Sequence, residues 1–274
     1  GAGLYLINAT ARIDSCLFNK ASHQSVYAIN STVRIQNTEF VKTRGRSITS
    51  LGSVIRVNNT VFRDTINVNN TQGGTLGHSA NTNAEYINTA FYNSNSNHSG
   101  GVGLNENSTV TFNRSFFMNM TTEFAAAAFS NINSQLTLKN CVINGFRVNP
   151  NNSTTTGSLI SSGGTSALNI YNSTIIGSTT VLKAPIASSA GSTVKFYNSV
   201  IWKYGFNAQN VNAERDILTE NNNNSSICDI RNSMLYKQEN TVMTNSLIGI
   251  NPKLTDMSNL FGPDGLLFTA DDGF

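Results

Sequence analysis

Between residues 202 and 226 the sequence gathers side chains suited to handling a sugar. Trp202, Tyr204 and Phe206 open the stretch, and Glu214, Arg215, Asp216 and Glu220 follow. Aromatic rings on a loop stack against the apolar faces of sugar rings, while carboxylates and amides take the hydroxyls. A glycosidase or lyase needs two acids at a defined separation. Glu214 with Asp216 or Glu220 is the candidate group, although spacing along a chain does not show that acids converge. The plainer alternative folds Trp202 and its neighbours back over the side of the protein. A second group is Arg12, Arg34 and Arg56, spaced by 22 residues. Stacked like charges repel, so such a stripe is either well solvated or meets an anionic partner such as an acidic glycan. A third is Asp264, Asp271 and Asp272 with adjoining glycines. These carry the hard oxygen donors that Ca²⁺ takes, without full loop spacing, and Asx-stabilised turns account for them as well.

What must position these residues is a repeat. In STVRIQNTEF, residues 31–40, Val33 and Ile35 point one way while Arg34 and Gln36 point the other, as on a strand. Aligned on Asn37, the repeat places Ser15, Asn37, Asn59, Asn88, Arg114, Asn140, Asn172, Asn198, Asn232 and Asn245 in one column. Their separations are 22, 22, 29, 26, 26, 32, 26, 34 and 13 residues. Two positions earlier every residue is apolar, from Ile13 and Ile35 to Ile230 and Met243. Three positions later every residue is again apolar, from Phe18 and Phe40 to Leu235 and Ile248.

A repeat of this length with one clear strand and no helical periodicity marks a solenoid, in which each coil covers the apolar face of the next. Short strands and the corner Asn predict an all-β, right-handed parallel β-helix of about ten coils over residues 1–250, followed by an irregular tail at 251–274. Asn37, Asn59, Asn88, Asn140, Asn172, Asn198 and Asn232 form a structural ladder, each amide donating to and accepting from its neighbours. Three inserts interrupt the repeat, at 64–83, 144–157 and 202–226. They follow the same inward position and so emerge on one side, where solenoids often carry their binding surface. FAAAAF at 124–129 has helical propensity, yet it occupies a strand position in the repeat and is expected as strand.

Cys16 and Cys141 share a column about five coils apart, beyond disulfide reach. Together with Cys228 they read as buried thiols. His23, His78 and His98 fall in connections without ligand-spaced neighbours. Only 12% of the 274 residues are charged, and the net charge of +3 conceals a basic amino-terminal quarter. Residues 1–63 hold eight Lys or Arg against Asp14 and Glu39. No interleaved aromatic platform points to nucleic acid, and no apolar run is long enough to span a membrane. The chain opens in mid-repeat, as a processed form or a piece of a longer secreted polypeptide would.

GAGLYLINATARIDSCLF at 1–18 looks like a GGG-I/M-Y segment followed by a Ser/Thr-rich strand and an N-C-x-F turn. GPDGLLFTADDG at 262–273 is similar to the segment that precedes a SPAI-AG-like motif. Through these the sequence resembles the secreted bacterial right-handed parallel β-helix repeat proteins, many of which end in a carboxy-terminal anchoring region. The resemblance implies an extracellular or bacterial cell-surface location, in a family ranging from polysaccharide-active enzymes to adhesins and stalks. The expected function is a non-catalytic structural or adhesive protein, a rigid rod that stacks end to end into a filament or binds extracellular polysaccharide. The alternative is a polysaccharide lyase or glycoside hydrolase acting at 202–226. No cofactor is expected beyond structural Ca²⁺, and no nucleic-acid partner or membrane span.

Overall fold

The computed structural model describes residues 2–67, 74–97, 100–122, 126–148, 158–181, 186–188, 191–206, 217–219, 227–236 and 243–250. These residues form an all-β parallel solenoid in which each coil has three flanks. In the first coil the flanks are Ala2–Ile7, Thr10–Asp14 and Leu17–Asn19. In the second they are Gln24–Ile29, Thr32–Gln36 and Glu39–Val41, each paired in parallel with its predecessor. The first flank is one sheet of nine strands, ending at Ile217–Thr219, against an expectation of about ten coils.

Three turns per coil explain why such polar sequence closes on itself. The Asn column sits at the corner between the second and third flanks, and all ten members hold φ between 46° and 53°. This left-handed region costs most L-residues about 1–2 kcal/mol and is most accessible to Gly and Asn. Two further corners, not singled out by the sequence repeat, behave alike. Asn8, Asn30, Gly52, Asn81, Asn107, Asn133 and Gly164 turn the chain from first flank to second, and Lys20, Lys42, Asp64, Asn93, Asn119 and Gly145 close the third. Gly164 shows how tight these corners are: a Cβ there would lie 2.1 Å from Asn133 Oδ1.

Each corner of the first two kinds is followed by a small residue, commonly hydroxylated, that locks one coil to the next. Ser31 Oγ donates to the Ile29 carbonyl at 2.7 Å and accepts the Ala9 N–H at 3.1 Å, while the Ser31 N–H reaches Ser53 Oγ at 3.1 Å. The same relay links Cys141, Ser173, Ser199 and Ser233 at the second corner. Along the outer edge Asn59 donates to Asn37, Asn88 to Asn59, Asn172 to Asn140 and Asn198 to Asn172. Arg114 interrupts the ladder, and Asn140 turns instead to Asn113 Oδ1 at 3.1 Å.

The interior holds the two apolar columns. Phe18, Phe40, Phe62, Phe91 and Phe117 form a stack with centroids 4.6–5.1 Å apart and planes within 7°, close to the strand spacing of a sheet. Tyr86, Phe112 and Phe129 pack against it edge-on, with Phe112 and Phe129 tilted against each other. The first flank adds an interior polar rung, Asn105 Nδ2 donating to Asn131 Oδ1 at 2.7 Å.

Several expectations are corrected. The inserts are shorter than their composition suggested, because a parallel neighbour supplies hydrogen bonds whatever the side chains. Ile66–Asn67 and His78–Ala80 are strands at the margins of the first, and His78 is thus not in a connection. Val142–Val148 enters the second, and Val200–Phe206 and Ile217–Thr219 enter the third. FAAAAF joins the first flank as Ala126–Ile132, with residues 124 and 125 outside the described set. Cys16 is exposed and Cys228 half-buried, where both were expected to be buried; among the described residues the coil of Cys16 has a parallel neighbour on one side. Ile248, in the last described coil, is likewise 41% exposed. His98 and the tail 251–274 lie outside the described residues.

Two outcomes follow. Asn198→Gly keeps the left-handed corner, whereas Asn198→Val forces a β-branched residue into it. In denaturant titrations the Val variant is expected to be less stable than the Gly variant by about 2 kcal/mol, and equal stabilities contradict the corner strain. Burial pushes the Cys141 and Cys228 thiols up to about 12. A thiolate reagent at about pH 8 is therefore expected to modify exposed Cys16 first, half-buried Cys228 more slowly, and buried Cys141 only on unfolding. The unfolded thiol ionises near 9.0 and the folded one near 12, so Cys141 contributes stability that is lost as pH rises through that window.

Candidate ligand-binding face

Among the described residues the second flank is the most regular surface of the solenoid, pairing from coil to coil without the register shifts of the first and third flanks. Strand alternation turns Ala11 and Ile13 inward and Thr10, Arg12 and Asp14 outward, and every later coil repeats the pattern. Direct register then fixes an outward column of Arg12, Arg34, Arg56, Glu85, Thr111, Thr137, Asn169, Lys195 and Asp229. Beside it runs Asp14, Gln36, Asn58, Ile87, Asn113, Lys139, Tyr171, Tyr197 and Arg231. Among the described residues these columns carry six cations and three carboxylates.

At one end stands the arginine stripe, with its three members as immediate neighbours. The outer two turn away from the centre. Arg12 Nη2 lies 2.9 Å from Asp14 Oδ2. Arg56 Nε lies 3.4 Å from Glu85 Oε2, and Arg56 Nη1 donates to the Asn83 carbonyl at 3.2 Å. Arg34 is exposed between them, with no ion-pair partner among the described residues. Asp14 offsets Arg12 and leaves Arg34 without a carboxylate partner among the described residues. It also accepts from Gln36 Nε2 at 2.7 Å and Asn37 Nδ2 at 3.1 Å. The Asn37 amide above all, then Arg12, hold its carboxyl below the usual range.

At the other end lies a cluster missed in the sequence. Lys139, Tyr171, Tyr197 and Arg231 occupy consecutive rungs. The two rings are 5.6 Å apart at 60°, and the Arg231 guanidinium sits 5.3 Å from the Tyr197 centroid. Asp229 binds Arg231 through two bonds of 2.8 Å and accepts the Tyr197 hydroxyl. Arg231 first, then Tyr197, hold Asp229 below the usual carboxylate range, and the Asp229 hydrogen bond in turn pushes Tyr197 up. The signal was available in the residue before each corner Asn, where NIYN, KFYN and DIRN follow one another.

The aromatic and acidic stretch at 202–226 is only partly described. Trp202 is on the strand Val200–Phe206, on the outward side of the third flank beside Ile176. It is 8% exposed, meets Tyr236 edge-on at 5.2 Å, and lies outside the interior core. Tyr204 and Phe206 continue that strand, paired with Ser178 and Val181 across a register shift. Glu214, Arg215, Asp216, Glu220, Asp264, Asp271 and Asp272 lie outside the described residues. Among the described residues no three His, Cys, Asp or Glu side chains gather as a metal site, and no helix is long and apolar enough to cross a membrane. No family model matches the chain, and no curated protein matches it.

Like charges opposite one another on a sheet destabilise it. Arg34→Glu is therefore expected to raise the unfolding free energy at low salt by less than about 1 kcal/mol, with the gain fading as salt screens it. A loss of stability at low salt contradicts repulsion within the stripe.

Proposed function

We propose that this protein is a non-catalytic extracellular rod whose second flank holds an anionic polysaccharide. The observation that carries this reading is the central arginine. Arg34 stands exposed between Arg12 and Arg56 at one coil spacing, about 4.8 Å, with the nearby Asp14 occupied by Asn37, Gln36 and Arg12. With Arg12 held by Asp14 and Arg56 by Glu85, Arg34 is the guanidinium of the row without a carboxylate among the described residues, and its fork matches the carboxylate or sulfate geometry of a linear polyanion. The Asn-, Ser- and Thr-rich surface and its ladders support a rigid scaffold, and the extracellular placement rests on that composition.

Two carboxylates of this face, Asp14 and Asp229, favour binding over turnover. A general acid at neutral pH needs its pKa raised, whereas both are held low by the donors around them. The face has the makings of an adhesive or matrix surface: regular in register and cationic.

The test is binding of alginate to the wild-type protein, with a neutral glucan as control. Binding is expected with alginate alone, to weaken as salt rises from about 0.05 M to about 0.5 M, and to fall several-fold in Arg34→Gln. Chain cleavage of either glycan, or binding indifferent to both salt and Arg34, contradicts the proposal.

A further inference from the structure

We infer that Lys139, Tyr171, Tyr197 and Arg231, with Lys195 and Asp229 beside them, form a second subsite that stacks a sugar ring, and that one anionic glycan chain spans it and the arginine stripe. The inference rests on the proposed function, but on different residues.

Register places the two clusters on one surface. From Arg56 the outward column runs through Glu85, Thr111, Thr137 and Asn169 to Lys195. That is five coil steps, about 24 Å at the spacing of paired strands. Between the clusters Thr111, Thr137, Ile87 and Asn113 are half-buried, so the column offers low relief on which an extended polymer can lie along the rod.

The chemistry of the second cluster differs from that of the first. Its rings are outward and half-exposed, and rings in that position present apolar faces or edges to the C–H face of a pyranose. Tyr197 is fixed by Asp229 through its hydroxyl and by Arg231 over its face, so little side-chain freedom is lost when a sugar settles on it. Lys195 and Lys139 are exposed on the neighbouring rungs and supply positive charge for a carboxylate or sulfate on the same sugar. Asp229 and Glu85 set carboxylates within a cationic face. They accept hydroxyl protons, of which a glycan offers several on each sugar and single-stranded DNA almost none, while their repulsion of an anion is the same for phosphate, carboxylate and sulfate. Aromatic rings with basic neighbours also suit single-stranded nucleic acid, and the acids decide for the glycan.

Two linked subsites have a consequence that one does not: affinity rises steeply once a chain is long enough to reach both. The experiment compares an alginate tetramer with long alginate and with dextran sulfate, on wild type, Arg34→Gln, Tyr171→Ala and Lys195→Gln. Wild type is expected to bind the long chain at least about tenfold more tightly per chain than the tetramer, beyond the statistical gain from extra sites. Tyr171→Ala and Lys195→Gln are expected to abolish that step while leaving tetramer binding at the stripe unchanged. Preference for alginate or for dextran sulfate tells whether carboxylate or sulfate is the group recognised. If Tyr171→Ala does not fold, protection of Tyr171 and Tyr197 from nitration by long alginate in the wild-type protein takes its place, and protection is expected. Long-chain binding that is lost in Arg34→Gln yet unaffected in the Tyr171 and Lys195 variants, or unprotected tyrosines, overturns the second subsite alone. Absence of binding to every anionic glycan overturns the proposed function and the subsite with it. Tighter binding of oligo-dT than of alginate overturns the choice of glycan.

Discussion

The left-handed corner is the constraint on which the molecule depends. A residue at positive φ turns the chain without a long loop, the small polar residue after it bonds to the coil on either side, and the outer amide joins the coils above and below. Three such corners set the coil at 22 residues in its tightest form, as in the intervals from 15 to 37 to 59. Once they hold, strands of successive coils pair without slippage. A one-residue slip would turn Phe40 and Phe62 out to solvent and bring Arg34 and Arg56 inside.

That fixed register turns sequence periodicity into surface chemistry. Residues 22 apart become neighbours at one strand spacing, so three arginines far apart in the linear chain become a charged stripe. The polar interior follows from the same logic. Ser31, Ser53 and Ser173 are buried, but each occupies a position where one carbonyl and one N–H need a partner, and a hydroxyl serves both. Cys141 takes such a place because a thiol, although larger than a hydroxyl, ends in one donor atom at the same position, and its Sγ still reaches the Lys139 carbonyl at 3.3 Å.

Much of the fold was legible because both interior columns are apolar at every coil, and because Asn is among the few residues other than Gly that accept the corner conformation readily. The corner from first flank to second also favours Asn but sits between variable connections, and the closing corner was harder still, since Lys42, Asp64, Asn93 and Gly145 differ in side-chain chemistry and are united by φ. Strands were also hidden in polar inserts, where Asn95 pairs with Ile66 and Phe146 with Ser178. There the neighbouring coil, not local propensity, decides the conformation. The arginine stripe could be read in advance because strict alternation carries it. The tyrosine cluster could not be found by scanning for motifs along the chain, since Tyr171, Tyr197 and Arg231 meet only when the outward columns are read across coils. Trp202 drew attention as a rare aromatic beside acids, yet its parity on Val200–Phe206 and its burial tie it to the rod's third flank.

The central claim, that the second flank is the working surface, is tested most directly by a crystal structure of the protein with a long alginate oligosaccharide. The account requires sugar density running parallel to the rod axis on the second flank, with carboxylates at Arg34 and a ring beside Tyr171. Ordered sugar on the third flank or against residues 202–226, with the arginines untouched, would contradict it.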